Sequence, residues 1–171
     1  IKEYLTTLTQ HQDSGAPIGF YDYKDQVIFE KDTIVKADST PYVVYTPYKN
    51  KWKSVFNPET DLKDHKTTIY FKNLYQDTTL QNTTLEQMGF NTSSIKVPKH
   101  NTSATLIQNY EDTRNFPGVD GTSHLGPHLR FGTVSVRAMM RKAISEKNEV
   151  FWSELIWREF FMQIFWHFPH T

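Results

Sequence analysis

Two stretches of the chain carry residue types able to do chemistry. The first runs Asp120-Gly-Thr-Ser-His-Leu-Gly-Pro-His-Leu-Arg-Phe-Gly-Thr-Val-Ser-Val-Arg137. Gly121, the adjacent hydroxyls of Thr122 and Ser123, Gly126 and Pro127 crowd one turn-rich approach to apolar, helix-like sequence. Hydroxyls and free backbone N–H groups at a helix start favour negative charge, most naturally a phosphate. A simple N-capping turn that binds nothing uses the same residues. The second stretch is the helical run Glu149–Trp166. At about 100° per residue, Phe151, Glu154, Trp157, Arg158, Phe161 and Phe165 share an arc roughly 120° wide. Trp152, Ile156, Phe160 and Ile164, with Glu159 and Gln163 between them, form the opposite arc. An acid and a guanidinium among aromatics are costly to bury without partners. Glu154 and Arg158 either pair with each other one turn apart, worth a few tenths of a kcal/mol, or line an aromatic cavity. There Arg158 meets an anion and Glu154 a polar edge of something flat. The residues alone leave both readings open.

Three unlike parts must position these stretches. Residues 1–46 read as the C-terminal remnant of an α/β domain, with a helical end over Ile1–Gln10 and three short β-branched runs, Gln26–Glu30, Thr33–Lys36 and Tyr42–Tyr45, that either belong to that larger sheet or form a small hairpin sheet. Residues 47–101 read as a linker with short helices. It opens on the helix-start signal Thr46-Pro47, in which a hydroxyl cap precedes a proline. It contains a strand-like Ile69–Phe71, and a helix with a capping box of Thr83 and Glu86 that ends at Gly89. Beyond Thr102 the pattern is helical. Thr102 or Ser103 caps a helix bearing Leu106, Ile107 and Tyr110, and places Tyr110 and Arg114 one turn apart on one face. Ser135–Lys147 is amphipathic, with Val136, Met139, Met140 and Ala143 inward. Glu149–Trp166 is apolar nearly all round, as in a helix buried within a larger helical body. The expected fold is therefore mainly α in the C-terminal part, after a small α/β remnant and a long linker.

Composition narrows the function. Nineteen basic and nineteen acidic residues cancel, which argues against a strongly cationic nucleic-acid or membrane binder. Any DNA contact must come from a few placed cations. The absence of cysteine removes disulfides, thiolate catalysis and Cys-ligated metals. His124 and His128, and His167 and His170, have ligand-like spacing, but Pro127 and Pro169 interrupt them and no carboxylate triad accompanies them, so no metal site is expected. No apolar run approaches the roughly 18 residues that span a bilayer. A cytoplasmic monomer is the expectation. The chain opens on Ile1 rather than Met, which reads as a piece trimmed or excised from something longer.

Tyr110-Glu-Asp-Thr-Arg-Asn-Phe-Pro117, Gly121-Thr-Ser-His-Leu-Gly-Pro-His-Leu-Arg-Phe-Gly132 and Glu154-Leu-Ile-Trp-Arg-Glu-Phe-Phe161, in that order, resemble the DNA photolyase/cryptochrome family. The similarity covers residues 103–168 closely, in the first half of that family's helical FAD-binding domain. It covers residues 20–56 loosely, around a Tyr-Thr-Pro-Tyr junction. The resemblance implies light-driven, FAD-dependent repair of pyrimidine dimers in ultraviolet-damaged DNA, or, alternatively, a cryptochrome-type photoreceptor using the same domain. It implies that Tyr110, Thr122, Ser123, His124, Leu125, Gly126, Phe151 and Arg158 bind FAD. Glu154 would act on the lesion's base edge, Trp157 would form the flat wall beside a flipped-out dimer, and Arg114 would contact a DNA phosphate. Gly126 stands where the family often has a serine, and His124 where it often has a basic residue. The family's remaining flavin ligands and its tryptophan relay lie beyond Thr171. Trp52, Trp152 and Trp166 are accordingly expected to be core aromatics, and residues 1–171 alone are expected to bind flavin poorly and to be inactive. The antenna pigment is not indicated. A flavin-free helical interaction module, with capped turns and a structural Glu–Arg pair, is the remaining reading.

Overall fold

A computed structural model describes residue 21, residues 23–75, 77, 79 and 81–171. The helical end expected over Ile1–Gln10 lies outside the described residues. In chain order the helices are α1 (Tyr45–Val55), α2 (Pro58–Asp61), a 3-10 helix (Thr67–Asn73), α3 (Ala104–Gln108), α4 (Tyr110–Thr113), α5 (Leu125–Arg130), α6 (Val136–Ser145) and α7 (Glu149–His167).

The 19-residue α7 is the axis on which α1, α4 and α6 pack. Asn148 starts it: its side-chain oxygen accepts the Phe151 N–H at 2.8 Å, a cap worth about 1 kcal/mol. α6 lies against it, started by Ser135, whose hydroxyl accepts the Ala138 N–H. Val136, Met140 and Ala143 of α6 are buried, with Met139 half-buried, as the amphipathic pattern requires. From the other side α1 inserts Tyr48 and Trp52, both almost fully buried. α7 meets this core with the arc that carries Leu155, Ile156, Glu159, Phe160 and Gln163. The arc with Trp157, Arg158, Phe161 and Phe165 looks outward, and Phe165 is 61% exposed. A helix apolar on every side thus has a buried and an open face that its sequence does not distinguish.

The three strands expected over residues 26–45 do not form. Among the described residues the extended pairing is a single antiparallel bridge between Val35 and Pro41. The physical reason lies in what satisfies the backbone of residues 25–31. Arg137 donates to the carbonyls of Asp25 and Val27, and Arg158 donates to that of Gln26. Gln163 donates to the carbonyl of Glu30, and the His167 ring nitrogen lies 3.1 Å from that of Lys31. The N–H groups of Ile28 and Phe29 donate to the Glu159 carboxylate. Side chains of α6 and α7 take the places a neighbouring strand would fill, while Ile28, Phe29 and Ile34 are buried.

Other local expectations shift. Helix α1 begins at Tyr45, and Val44 before it offers no side-chain cap, so Thr46 and Pro47 lie inside the first turn, where a proline still removes no intrahelical bond. Ile69–Phe71 belongs to the 3-10 helix rather than to a strand, and its side chains are exposed; with no facing strand, β-branched and aromatic residues do not make a sheet. The helix expected to end at Gly89 is a turn over residues 85–89. Its reciprocal cap exists one residue on: Gln87 N–H donates to the Thr84 hydroxyl, and Thr84 N–H to the Gln87 side chain. Gly89 closes it at φ +86°, where only glycine sits without strain. Ser103, rather than Thr102, caps α3. Trp52, fully buried, and Trp152, half-buried against the core, meet edge to face at 6.2 Å. Trp166, expected in the core, is instead exposed with the Lys31 ammonium 3.9 Å from its ring centre, a cation–π contact that suits an aromatic in water.

Candidate functional site

The turn that leads into α5 is built by close approach. A Cβ on Gly121 would lie 2.5 Å from the Thr113 Cβ, so only glycine lets the end of α4 and this turn touch. Neither Thr122 nor Ser123 caps α5. The residue at its start is His124, left-handed at φ 52° with no side-chain cap, an uncommon conformation for a residue with a Cβ. A His124 ring nitrogen lies 2.8 Å from the Asp120 carboxylate. Ser123 is buried, and its carbonyl accepts the Asn101 N–H. Leu125 and Leu129 point into the core, while Thr122 and Gly126 face out.

The site residues expected from the sequence gather in two groups. Gly126 and Arg158 share the wall of a hollow of about 660 Å³ with Gln26, Leu129, Arg130, Phe161, Met162 and Phe165. Arg158 is half-buried and donates to the carbonyls of Gln26 and Leu129. Its hydrogen bonds run to neutral groups, these carbonyls and the Gln26 side chain, beside an apolar wall. Burial pulls its pKa down and the nearby Glu159 carboxylate opposes that. A smaller hollow of about 140 Å³ adjoins it behind Arg137 and Arg158.

The second group is Tyr110, Arg114, Phe151 and Glu154. Phe151 is buried and meets the Tyr110 ring edge to face at 4.9 Å. Arg114 lies over the Tyr110 ring at 6.0 Å, as their one-turn spacing requires. Arg114 Nη1 donates to Glu154 Oε1. The Glu154–Arg158 pair weighed from sequence is therefore not the one that forms: the Arg114 guanidinium reaches Glu154 from α4, and Arg158 turns to the backbone of residues 26 and 129. Burial, together with the negative charge of Glu154, raises the Tyr110 pKa, so its hydroxyl stays protonated near neutrality. Beside this group, Trp157 is half-buried, with the Tyr45 ring stacked on it at 3.5 Å and 10°.

The residue sequence reasoning missed is Glu159. It is 2% exposed, and its carboxylate accepts from Trp52 Nε1 at 2.7 Å as well as from the Ile28 and Phe29 N–H groups. Burial raises its pKa; the three donors and Arg158 pull the other way. Its signal was present: Glu159, Gln163 and His167 recur every four residues on an otherwise apolar helix, a polar stripe that has to meet backbone. Among the described residues no helix is long and apolar enough to cross a membrane.

No family model matches the chain. Curated relatives do. The deoxyribodipyrimidine photo-lyase of Alkalihalophilus pseudofirmus is 30% identical over 175 positions, covering 94% of this chain and 36% of the relative. That of Synechococcus sp. is 30% identical over 174 positions, covering 85% of this chain and 35% of the relative. That of Escherichia coli is 25% identical, covering 86% of this chain and 34% of the relative. The chain belongs to the DNA photolyase/cryptochrome family and spans about a third of the length of the curated relatives it matches.

Proposed function

We propose that the chain is part of a light-driven, FAD-dependent photolyase that repairs pyrimidine dimers in DNA, and that its open helical face holds part of both the cofactor and the lesion site. The observation that carries this reading is the outward arc of α7. Arg158 borders a broad aromatic hollow there, with Glu154 half-buried one turn before it and Trp157 half-buried directly beside it in sequence, on a chain whose named relatives are photolyases.

The residues present suit part of a flavin dinucleotide. Phe161, Phe165, Leu129 and Met162 offer apolar contact for flat rings, and Arg158 and Arg130 bring positive charge to the same hollow for a pyrophosphate. The first-turn N–H groups of α5 have no side-chain cap and suit an anion beside Gly126. When bound, FAD supplies the light-excited electron donor for opening the cyclobutane ring. This chain's residues bind and orient. Tyr110, Phe151 and the Thr122–Gly126 turn, including Ser123, His124 and Leu125, hold the cofactor, with Arg158 at its side. Glu154 accepts a hydrogen bond from a base edge of the extruded dimer, and Trp157 gives it an apolar surface. Arg114 holds Glu154 and keeps guanidinium donors for a DNA phosphate. Damaged DNA is then the partner, and residues 1–171 alone bind FAD weakly and do not repair.

The test uses the full-length protein. Trp157→Ala is expected to weaken binding of dimer-containing oligonucleotide about tenfold or more, by loss of a stacking surface, with flavin content near wild type. Loss of flavin with unchanged lesion affinity would contradict the assignment of Trp157.

A further inference from the structure

Trp157 does not hold its position through α7 alone. An indole half-open to solvent on a helix has several staggered rotamers, and only one presents a fixed surface. Tyr45, the first residue of α1, lies parallel to it with ring centroids 3.5 Å apart and planes within 10°. Near face-to-face stacking is not the arrangement aromatic pairs choose when free to slide, so other contacts must keep the two rings in register. Two of them are visible. The Tyr45 hydroxyl donates to the Ser153 carbonyl at 2.9 Å, one turn before Trp157 on the same helix. Phe160 packs edge-on against both rings, at 5.8 Å from Tyr45 and 5.7 Å from Trp157. Burial pushes the Tyr45 hydroxyl up to about 12, so it stays a donor across the physiological range.

We infer that Tyr45 is a positioning residue for Trp157: its ring, held in place chiefly by Phe160 and to a lesser degree by the hydroxyl bond to Ser153, backs one face of the indole. The inference rests on the reading of Trp157 as a lesion-contacting surface. It adds that the segment joining the N-terminal residues to the helical body sets the geometry of that surface. A dimer reaching Trp157 then meets an indole already immobilised, so less rotamer freedom is lost on binding.

Two variants bracket the claim. Tyr45→Phe keeps the stacked ring and loses the tether; Tyr45→Met fills similar volume without an aromatic face. Both are to be made in the full-length protein, checked for flavin content and melting temperature, and titrated with dimer-containing and undamaged oligonucleotides. Tyr45→Met is expected to lose roughly three- to tenfold in affinity for the dimer, the range of an aromatic stacking pair. Its affinity for undamaged DNA should not change, and Tyr45→Phe should lie within about twofold of wild type. Equal affinities for damaged DNA in wild type and Tyr45→Met would overturn the inference, as would an equal loss on both DNAs. An independent readout is the Trp157 ring-proton resonances, which a ring 3.5 Å away shifts upfield. The Tyr45 share of that shift should persist in Tyr45→Phe and be lost in Tyr45→Met, leaving the share due to the Phe160 and Phe161 rings. Were wild type to bind damaged and undamaged DNA alike, the reading of function would fail, and these resonances alone would decide the positioning; unchanged shifts in Tyr45→Met would sink it.

Discussion

Glu159 shows how much rests on single polar groups in an interior this small. Its carboxylate gathers three donors from two separate parts of the chain, Trp52 on α1 and Ile28–Phe29 before it. Glu159→Ala strands all three, and an unpaired buried donor costs about 1–3 kcal/mol, so the expected loss is roughly 3 kcal/mol or more in denaturant unfolding. Glu159→Gln removes the buried charge but turns an amide NH2 toward one of the donors. Its more telling effect is on pH dependence. Burial raises the carboxyl above its ordinary 4.5 in the folded state, so the folded state binds this proton more tightly than the unfolded one. The contribution of this group to stability is therefore fully present below 4.5 and declines as pH rises from there through the raised folded value. Glu159→Gln should abolish that part of the slope; an unchanged slope in the variant would show that Glu159 is not its source. At Gly121, alanine would thrust a methyl to within 2.5 Å of the Thr113 Cβ. Gly121→Ala should lower the melting temperature by several degrees, whereas Gly126→Ala, with nothing near its Cβ, should leave it nearly unchanged.

At the scale of elements, α6 and α7 were readable because cap and periodicity agree there, whereas the single helix expected through Tyr110 is broken at Asn109 into α3 and α4, and α5 lacks the expected hydroxyl cap. Ser103, Ser135 and Asn148 each sit one residue before a helix and each caps it with its side chain. Asn148→Ala is accordingly expected to cost about 1 kcal/mol, measured by chemical denaturation. The elements before residue 102 were misread for a definite reason. Gln26–Glu30 has the composition of a strand, but composition reports a half-buried extended chain and not what its backbone bonds to. Here the partners are Arg137, Arg158, Glu159, Gln163 and His167, more than a hundred residues away. No local pattern encodes a pairing at that separation. The arc of α7 that carries Glu154, Trp157 and Arg158 was legible from 3.6-residue periodicity alone. What periodicity does not reveal is which neighbouring element reaches each of them: Arg114 for Glu154, Tyr45 for Trp157, and the segment from residue 25 to 31 for Arg158.

At the scale of the molecule, the two groups of site residues lie on one helix and are held by everything around it. α1 and residues 25–31 fasten the buried arc of α7, while α4 and α5 border its open arc, so the elements that stabilise the fold also set the geometry of the proposed cofactor and lesion sites. Formal neutrality is compatible with the proposed DNA contact through a few placed groups and a hollow rather than an overall field. The proposed function requires that this hollow belong to a flavin-dependent repair enzyme. The most direct measurement is repair of a dimer-containing oligonucleotide by the full-length protein, loaded with FAD and kept reduced, under blue light and in the dark. The proposed function predicts restoration of intact pyrimidines in the light only. A preparation that takes up no FAD, or one that holds FAD and leaves the dimer untouched after illumination, would contradict it.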